Sequence, residues 1–537
     1  MFGRHRARVT GRHGTVRLGT VDSRPADRDE PERAGKREHG APPAFPDHHR
    51  VVIVGAGFGG VGLAVRLQDE GVDDVVILER EDDLGGTWYV NTYPGCQCDV
   101  PSLLYSLSSA PNAEWSRTFA PQPEIEEYLR AVAEHTGVKR LIRFGTEVTG
   151  AHWEAEARRW VVDTPDGIVT GDLLVLASGF LSTPSVPAID GLDRFEGTVF
   201  HSARWDHDHD LAGERVAVIG TGASAIQFIP QIQPDAAHLT VFQRTPPWVM
   251  PRPDRAFTAR ERWLFRRSRL AMRLARARIY WARELMVVMF AKRPQLARYA
   301  AVGARKHLED QVADTGLRAR LTPQYALGCK RVLLSNDYYP ALTRPNVELV
   351  TEPIREVTPD AVVTADGTEH RVDTIILGTG FAVAEPPIGG RIRGASGRTL
   401  AQHWGGSSTA YLGSTVAGFP NLFMIVGPNT GLGHSSMVFM MESQFNYIVD
   451  ALKTMAARSI DSFSVEPAAV EAFNHEIQGE MAHTVWSSGC SSWYLDASGR
   501  NTTLWPDFTW RYRQRTRHFD ADRYTLTRPS GGRNHPE

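Results

Sequence analysis

Several things are scarce in this sequence, and each scarcity excludes a class of protein. Only 4 cysteines occur among 537 residues. That is too few for the disulfide framework of a secreted scaffold, and Cys96 and Cys98 stand too close together, with no second pair, for a zinc site. A reducing cytoplasm is the expected setting. No apolar run reaches the ~18 residues of a membrane span, and the opening residues lack the apolar core of a signal peptide, so no transmembrane segment is expected. An excess of one charge is also missing: 60 Lys and Arg face 62 Asp and Glu, for a net charge of -2. Such a chain carries no field to attract nucleic acid or an anionic membrane. No cluster of His and carboxylates stands at metal-ligand spacing, so no metal is expected. What remains is an ordinary globular balance, 42% hydrophobic and 23% charged, in a chain long enough for several domains.

Residues 1–49 mix Arg with Asp and Glu, add Pro and Gly, and offer almost no large apolar side chains. They are expected to form a disordered tail. From Arg50 the texture changes. Val51, Val52, Ile53 and Val54 form an apolar run suited to a strand buried on both faces. Gly55, Gly57 and Gly60 follow in GxGxxG spacing, Val61 to Leu67 continue at helical period, and a second apolar strand, Val75 to Leu78, ends at Glu79. Strand, glycine turn, helix, strand and acid in this register form a dinucleotide fingerprint. The glycines let backbone approach a pyrophosphate, the helix N-terminus offers free N–H groups, and the acid accepts from ribose hydroxyls.

A second copy begins at Glu214, with Arg215 leading into the strand Val216 to Ile219, then Gly220, Gly222 and Ala225 in GxGxxG/A spacing. Its next strand, Leu239 to Phe242, ends in Gln243, Arg244 and Thr245 rather than in an acid. A cation there suits a 2′-phosphate, so the second nucleotide is expected to be NADP. One site closing on an acid and one on an arginine suggest FAD held tightly and NADPH exchanged. Two further apolar strands, Leu173 to Ala177 and Asp373 to Leu377, run into Ser178-Gly179 and Gly378-Thr379-Gly380, like the strand ends where the chain of two-dinucleotide flavoproteins passes between domains. The expected fold is α/β, with two Rossmann-like dinucleotide-binding domains. The FAD domain comprises 50–200 and 370–510. The NADP domain comprises 201–369, with a helical insertion at about 255–325, and 511–537 form a C-terminal tail.

Phe195, Gly197, His201, Trp205 and Asp206 fit the pattern FxGxxxHxxxW followed by Pro or Asp, and on them the chain resembles the type I Baeyer–Villiger monooxygenases. Related amine and sulfide oxygenases usually carry Tyr where this chain has Trp205. The resemblance continues through Gly85, Gly86, Thr87, Trp88, Asn91, Tyr93, Pro94, Gly95, Asp99 and Tyr105, and through Cys329-Lys330-Arg331, the stretch 418–431 and Ser491 to Tyr494. It departs at Thr92, where several family members place Arg.

The resemblance implies a reaction and roles. NADPH reduces the flavin, O2 adds to give a C4a-peroxyflavin, and this attacks a ketone to yield an ester or lactone. Arg331 would be the fixed cation beside the flavin and Asp99 the acid that orients it. Lys330 would join Arg244 and Thr245 on the 2′-phosphate, and Trp493 would close over NADP. By the same comparison Thr87, Trp88, Tyr105, Val148 and Met437 would touch FAD, while Gln97, Cys98, Thr221, Ser224 and Gln227 would approach NADP. His201 and Trp205 are placed in domain closure rather than bond making. The partners implied are a small ketone and O2, with the chain a monomer or homo-oligomer.

Other readings stand beside this one. An N- or S-hydroxylating flavin-containing monooxygenase would keep both nucleotides but have less use for Arg331, and a non-catalytic nucleotide sensor would have no use for it. The basic, apolar stretch 255–312 reads as helices, and the resemblance implies that they form an insertion bordering the substrate pocket rather than lying on a membrane. Cys96 and Cys98 are spaced wrongly for a dithiol redox motif, and Met437, Met440 and Met441 read as helix packing.

Overall fold

The computed structural model describes residues 48–383 and 387–528. The expected N-terminal tail lies outside them except for His48 and His49, which begin the first strand, His48–Val54. That strand runs parallel to Val75–Leu78 on one side and Gly167–Leu176 on the other. Val51, Val52 and Ile53 are wholly buried, as a strand covered on both faces requires. The sheet continues outward through Arg159–Thr164 and Gly150–Glu154 to Ile392–Arg393, and on its other side to Ile142–Arg143. Leu422–Met424 joins it against Gly167–Leu176.

A second sheet is parallel throughout, in the order Val347–Val350, His238–Phe242, Arg215–Ile219, Thr374–Leu377, Thr198–His201. This moves both expected boundaries. Thr374–Leu377, assigned by its glycine-rich end to the resumed FAD domain, is an interior strand of the second sheet, and Thr198 to Phe200 lie on its edge. An apolar strand running into glycine looks alike in either sheet, so its membership is decided by pairing, with Ile375 opposite both Ala217 and Val199. The chain rejoins the first sheet only at Ile392.

The helical insertion is present as Ala259–Arg267, Arg269–Val287, Ala297–Gln311 and Thr315–Leu321. Thr258 and Glu261 close a reciprocal cap at its start. Its outer side leaves Trp263, Leu270, Leu274, Trp281 and Leu285 exposed. Among the described residues no helix is long and apolar enough to cross a membrane.

The expected C-terminal tail is corrected over most of its length. Thr509–Arg515 is a helix, and Tyr524–Thr527 pairs antiparallel with Ser462–Val465. Tyr512, Phe519 and Tyr524 are buried, and the arginines that made the segment look solvated are engaged: Arg515 with Glu476, Arg513 over the Phe439 ring at 3.6 Å. Residues 529–537 lie outside the described ones.

Candidate active site

The first glycine turn works as its spacing predicts. Gly55 has φ +103°, and a Cβ on it would stand 2.8 Å from the Ala177 carbonyl oxygen. Gly60 serves packing instead, since a Cβ there would fall 1.9 Å from the Gly55 carbonyl oxygen; its lack of a side chain lets helix Phe58–Gln68 seat on the turn. Beyond it, Glu79 is 5% exposed. One carboxylate oxygen accepts from the Ala56 N–H at 2.6 Å and the other from the Glu81 N–H at 3.0 Å. Burial pushes this carboxyl up, and the two N–H groups offset that only in part. Lone pairs remain on both oxygens for hydroxyl donors.

Gly55, Gly57, Glu79, Thr87, Trp88, Tyr105 and Val148 line one cleft. The Trp88 indole N–H donates to the Tyr105 hydroxyl at 3.1 Å. Met437 is replaced on the cleft wall by Met441, one helical turn along Met437–Arg458. Phe180 and Arg391 also line the cleft, although neither belongs to the glycine fingerprint. Side-chain-free backbone at a helix N-terminus, a buried acid and an aromatic wall suit an adenine dinucleotide that carries a second ring system.

The second turn repeats the first with one change. Gly220 has φ +107°, and its added Cβ would lie 2.5 Å from the Gly378 carbonyl oxygen. Gly222 stays open, and Thr221 and Ala225 are buried. The strand His238–Phe242 delivers Arg244 to the surface, where it has no ion pair among the described residues. Thr245 follows, half-buried. Lys330 approaches from another segment, its ammonium 5.0 Å from the centre of the Tyr325 ring. Burial, then repulsion by Arg244, lowers the Lys330 pKa. Gln227 is occupied differently from expectation. Its amide accepts from the Tyr93 hydroxyl at 3.0 Å and donates to the Gln97 carbonyl at 3.1 Å, tying a loop of the first unit to the helix Ala225–Ile232 that follows the second turn. Ser224 is half-buried at the start of the helix Ala225–Ile232.

Between the cradles stand Arg331 and Asp99. The guanidinium donates from Nε at 2.9 Å and from Nη2 at 2.8 and 2.6 Å, engaging both carboxylate oxygens. Its Nη1 reaches toward the Leu432 carbonyl at 3.5 Å. About a quarter of each side chain stays accessible, 28% for Arg331 and 24% for Asp99. Burial alone would push the Asp99 carboxyl up, but Arg331, with Arg283 and Arg252 behind it, holds it below the usual range. The Asp99 charge in turn raises the pKa of Arg331. Cys98 is buried next to Asp99, and burial pushes its thiol up.

The FxGxxxHxxxW segment runs along the edge of the second sheet. A Cβ on Gly197 would lie 2.2 Å from the Asp373 carbonyl oxygen, where the edge strand enters the second sheet. Phe195 packs against the apolar core of that sheet. The His201 Nδ1 accepts from the Ala203 N–H at 3.0 Å, and burial lowers the pKa of the ring. Trp205 packs on Phe200 and Phe228 at 5.1 and 5.3 Å between ring centres. Asp206 accepts from the Asp208 N–H at 3.0 Å. None of these five side chains lines the first cleft.

Four features escaped the sequence. Arg252 is 7% exposed and keeps two guanidinium nitrogens without partners. Arg283, on the long insertion helix Arg269–Val287, lies in the field of Asp99 and Arg331. Tyr494, 1% exposed, buries its hydroxyl near Arg331; burial, opposed by that cation, pushes its pKa up to about 12. Finally Cys329 and Cys490 form a disulfide, although the cysteine count argued against a disulfide framework. Trp493 beside them is 40% exposed, with its ring 6.3 Å from that of Phe180.

Comparison with known proteins agrees with this geometry. A family described as pyridine nucleotide-disulphide oxidoreductase matches residues 52–262. A Baeyer-Villiger monooxygenase of Streptomyces coelicolor is 51% identical, covering 90% of this chain and 94% of its own length. One of Pseudomonas aeruginosa is 48% identical over 90% of this chain and 93% of its own. Among solved structures, cyclohexanone monooxygenase from Rhodococcus sp. Phi1 bound to NADP+ superposes with a TM-score of 0.81 at 31% identity, covering 90% of this chain and all of the other. A complex of OTEMO with FAD and NADP also reaches 0.81, at 28% identity over 89% of this chain and 99% of the other. Two glycine cradles, an arginine locked to an aspartate between them, and relatives of this closeness over nearly the whole length lead to one conclusion: the chain belongs to the Baeyer–Villiger monooxygenase family.

Proposed function

We propose that Arg331 is the catalytic cation of this chain, acting in a reaction that uses FAD, NADPH and O2 to insert one oxygen atom into a ketone and give an ester or lactone. The observation that carries this reading is the two-oxygen pairing of Arg331 with Asp99 at the meeting of the two cradles. The residues lining the first cleft fit FAD, and Arg244 with Lys330 fits the 2′-phosphate of NADPH. Bound FAD supplies the redox chemistry, taking a hydride from NADPH and activating O2.

The chain's own residues position and stabilise. A guanidinium stays charged at every relevant pH, so Arg331 can stabilise an anionic oxygen and then the oxyanion that develops at the substrate carbonyl. Asp99 engages Nε and Nη2 with both oxygens, which fixes the plane of the guanidinium and leaves Nη1 held only by its long contact to the Leu432 carbonyl. Tyr494, Arg252 and Arg283 surround the pair with a buried hydroxyl and two further cations. The insertion helix Arg269–Val287 delivers Arg283 and so borders the place a ketone must occupy. Gln227, Trp205 and His201 set the angle between the two sheets, and Trp493, beside Phe180, would close over bound NADP. The protein is assigned to the cytoplasm.

The test is oxygenation of a ketone panel by the yellow protein under isotopically labelled dioxygen. One labelled atom in the ester, with NADPH consumed in equal amount, is the expected result. NADPH consumed with only hydrogen peroxide formed, whatever the ketone, overturns the assignment. Labelled sulfoxide or hydroxylamine with no ester would move the chain to heteroatom oxygenation.

A further inference from the structure

The sulfur atoms of Cys329 and Cys490 join two segments 161 residues apart, with 6.2 Å between their Cα atoms. Cys329 immediately precedes Lys330 and Arg331, and Cys490 stands three residues before Trp493. One bond therefore links the stretch carrying the phosphate-binding and catalytic cations to the stretch that carries Trp493 and the buried Tyr494. We propose that this disulfide is a redox-operated positioning clasp. Closed, it holds Arg331 and Trp493 in one frame; opened by a dithiol, it loosens the hold on NADP and uncouples NADPH oxidation from oxygenation. The consequence for turnover rests on the roles proposed above for Arg331 and Trp493.

Local structure gives the bond this importance. Val485 and Trp486 are buried upstream, and Tyr494 is buried downstream. Between them the chain is exposed or half-buried. Among the described residues, no backbone hydrogen bond joins Gly489, Cys490 or Ser491 to another segment. The sulfur bond thus anchors a stretch that its own backbone leaves untied. On the other side Gly328, at φ +97°, turns the chain so that Cys329 points inward, and a Cβ on Gly328 would lie 2.7 Å from the Phe290 ring. Cys329 is fully buried while Cys490 is half-buried, so an external thiolate reaches Cys490 first. The other cysteines do not compete: Cys96 and Cys98 are buried, and burial pushes the Cys96 thiol up to about 12 and that of Cys98 higher.

The exchange balances without further reagents. A dithiol attacks the Cys490 sulfur, the S–S bond breaks, and Cys329 leaves as a thiolate and takes a proton. The second thiol then closes the reductant's own disulfide and releases Cys490, so two electrons and two protons pass from the dithiol to the protein. Hydrogen peroxide reverses the change, taking those two electrons and two protons and leaving as two waters. In a cytoplasm such a bond is kept for sensing or transient work rather than for permanent bracing.

The experiment uses the FAD-loaded protein in two states, air-oxidised and reduced with dithiothreitol under argon before desalting. Thiol titration in denaturant should count two free cysteines in the first and four in the second. Calorimetric titration with NADP+, without turnover, should show binding about ten-fold weaker in the reduced state, the scale of a coupling between sites. Limited proteolysis should cut the 487–493 stretch faster in that state, and the share of NADPH ending as hydrogen peroxide should rise. Peroxide treatment should restore the wild type. Cys490→Ser should match the reduced protein and respond to neither reagent. Four free thiols in the air-oxidised protein, or equal NADP+ affinity and equal proteolysis in both states, overturns the clasp. A protein that oxygenates no ketone in either state overturns the functional assignment instead, while thiol count, affinity and proteolysis still decide the clasp. The two wild-type states suffice if Cys490→Ser does not fold.

Discussion

The two glycine cradles share a backbone plan but differ in what surrounds them. The first is walled by parts of the chain far from its own fingerprint, including Val148, Phe180, Arg391 and Met441, and it ends on an acid that is 5% exposed. The second ends on an arginine that stands in solvent. Identical turns can therefore serve opposite kinetic ends. A ligand enclosed by several segments leaves only when those segments part, whereas one held at a rim by cations can exchange on every cycle. The difference lies in the walls and the terminal charge, not in the glycines.

Four experiments sharpen or break that contrast. The largest effect is expected for Gly55→Val, which places side-chain atoms where the Ala177 carbonyl already sits. The purified protein should be colourless and inactive, while Gly222→Ala, in open space on the second turn, should keep its flavin. A yellow Gly55→Val protein would show that the first turn is more forgiving than its crowding implies.

Arg331→Ala should retain FAD yet lose ester formation by about 10² to 10³-fold in kcat, the usual cost of removing one oxyanion donor. Arg331→Lys should recover little of it, because an ammonium cannot span both Asp99 oxygens. Near-normal oxygenation in Arg331→Ala would remove the assigned role.

Arg244→Ala should raise KM for NADPH about ten- to a hundred-fold through loss of a charge-assisted contact. It should leave kcat and the use of NADH nearly unchanged. A matching loss with NADH would mean that Arg244 supports the fold rather than the 2′-phosphate.

The smallest effect is on stability, and here the two carboxylates pull in opposite directions. Asp99 is held below its ordinary value, so its contribution is complete above about pH 4 and is lost as acid carries the pH down through the folded value. Glu79 is held above its own in the nucleotide-free protein, so it favours the fold most below about pH 4.3, and that advantage is lost as pH rises through the folded value. Urea midpoints of the apoprotein should therefore lose acid-side slope in Asp99→Asn and lose the decline on the alkaline side in Glu79→Gln. Slopes changing in the same direction in both variants would contradict the two environments.

Legibility in the sequence follows how local each signal is. Both cradles could be found because strand, turn and helix are contiguous and because buried parallel strands spell unbroken apolar runs. Arg331 and Asp99, 232 residues apart, emerge from the motif resemblance, since no spacing rule links them. Tyr494 stands in a matched motif that gives it no role, and nothing in its neighbours says that it faces a guanidinium. The disulfide was hidden by a compositional argument that is sound on average but silent about one particular pair. Gln227 was expected at a nucleotide from the motif resemblance, yet Tyr93 and Gln97, on a loop of the first unit, take up its amide. The C-terminal segment misled because its arginines outweigh three aromatics in composition while the aromatics decide its burial.

The threading of the two sheets sets a timetable for synthesis. All five strands of the second sheet have been translated once Leu377 is made, whereas the first sheet still waits for Ile392–Arg393 and Leu422–Met424. At roughly 5–20 residues per second, the ribosome leaves the first sheet short of its last strand for several seconds after the second is complete. During that interval the growing polypeptide holds a finished NADP module beside an open-edged FAD module, so flavin capture belongs to the end of biogenesis.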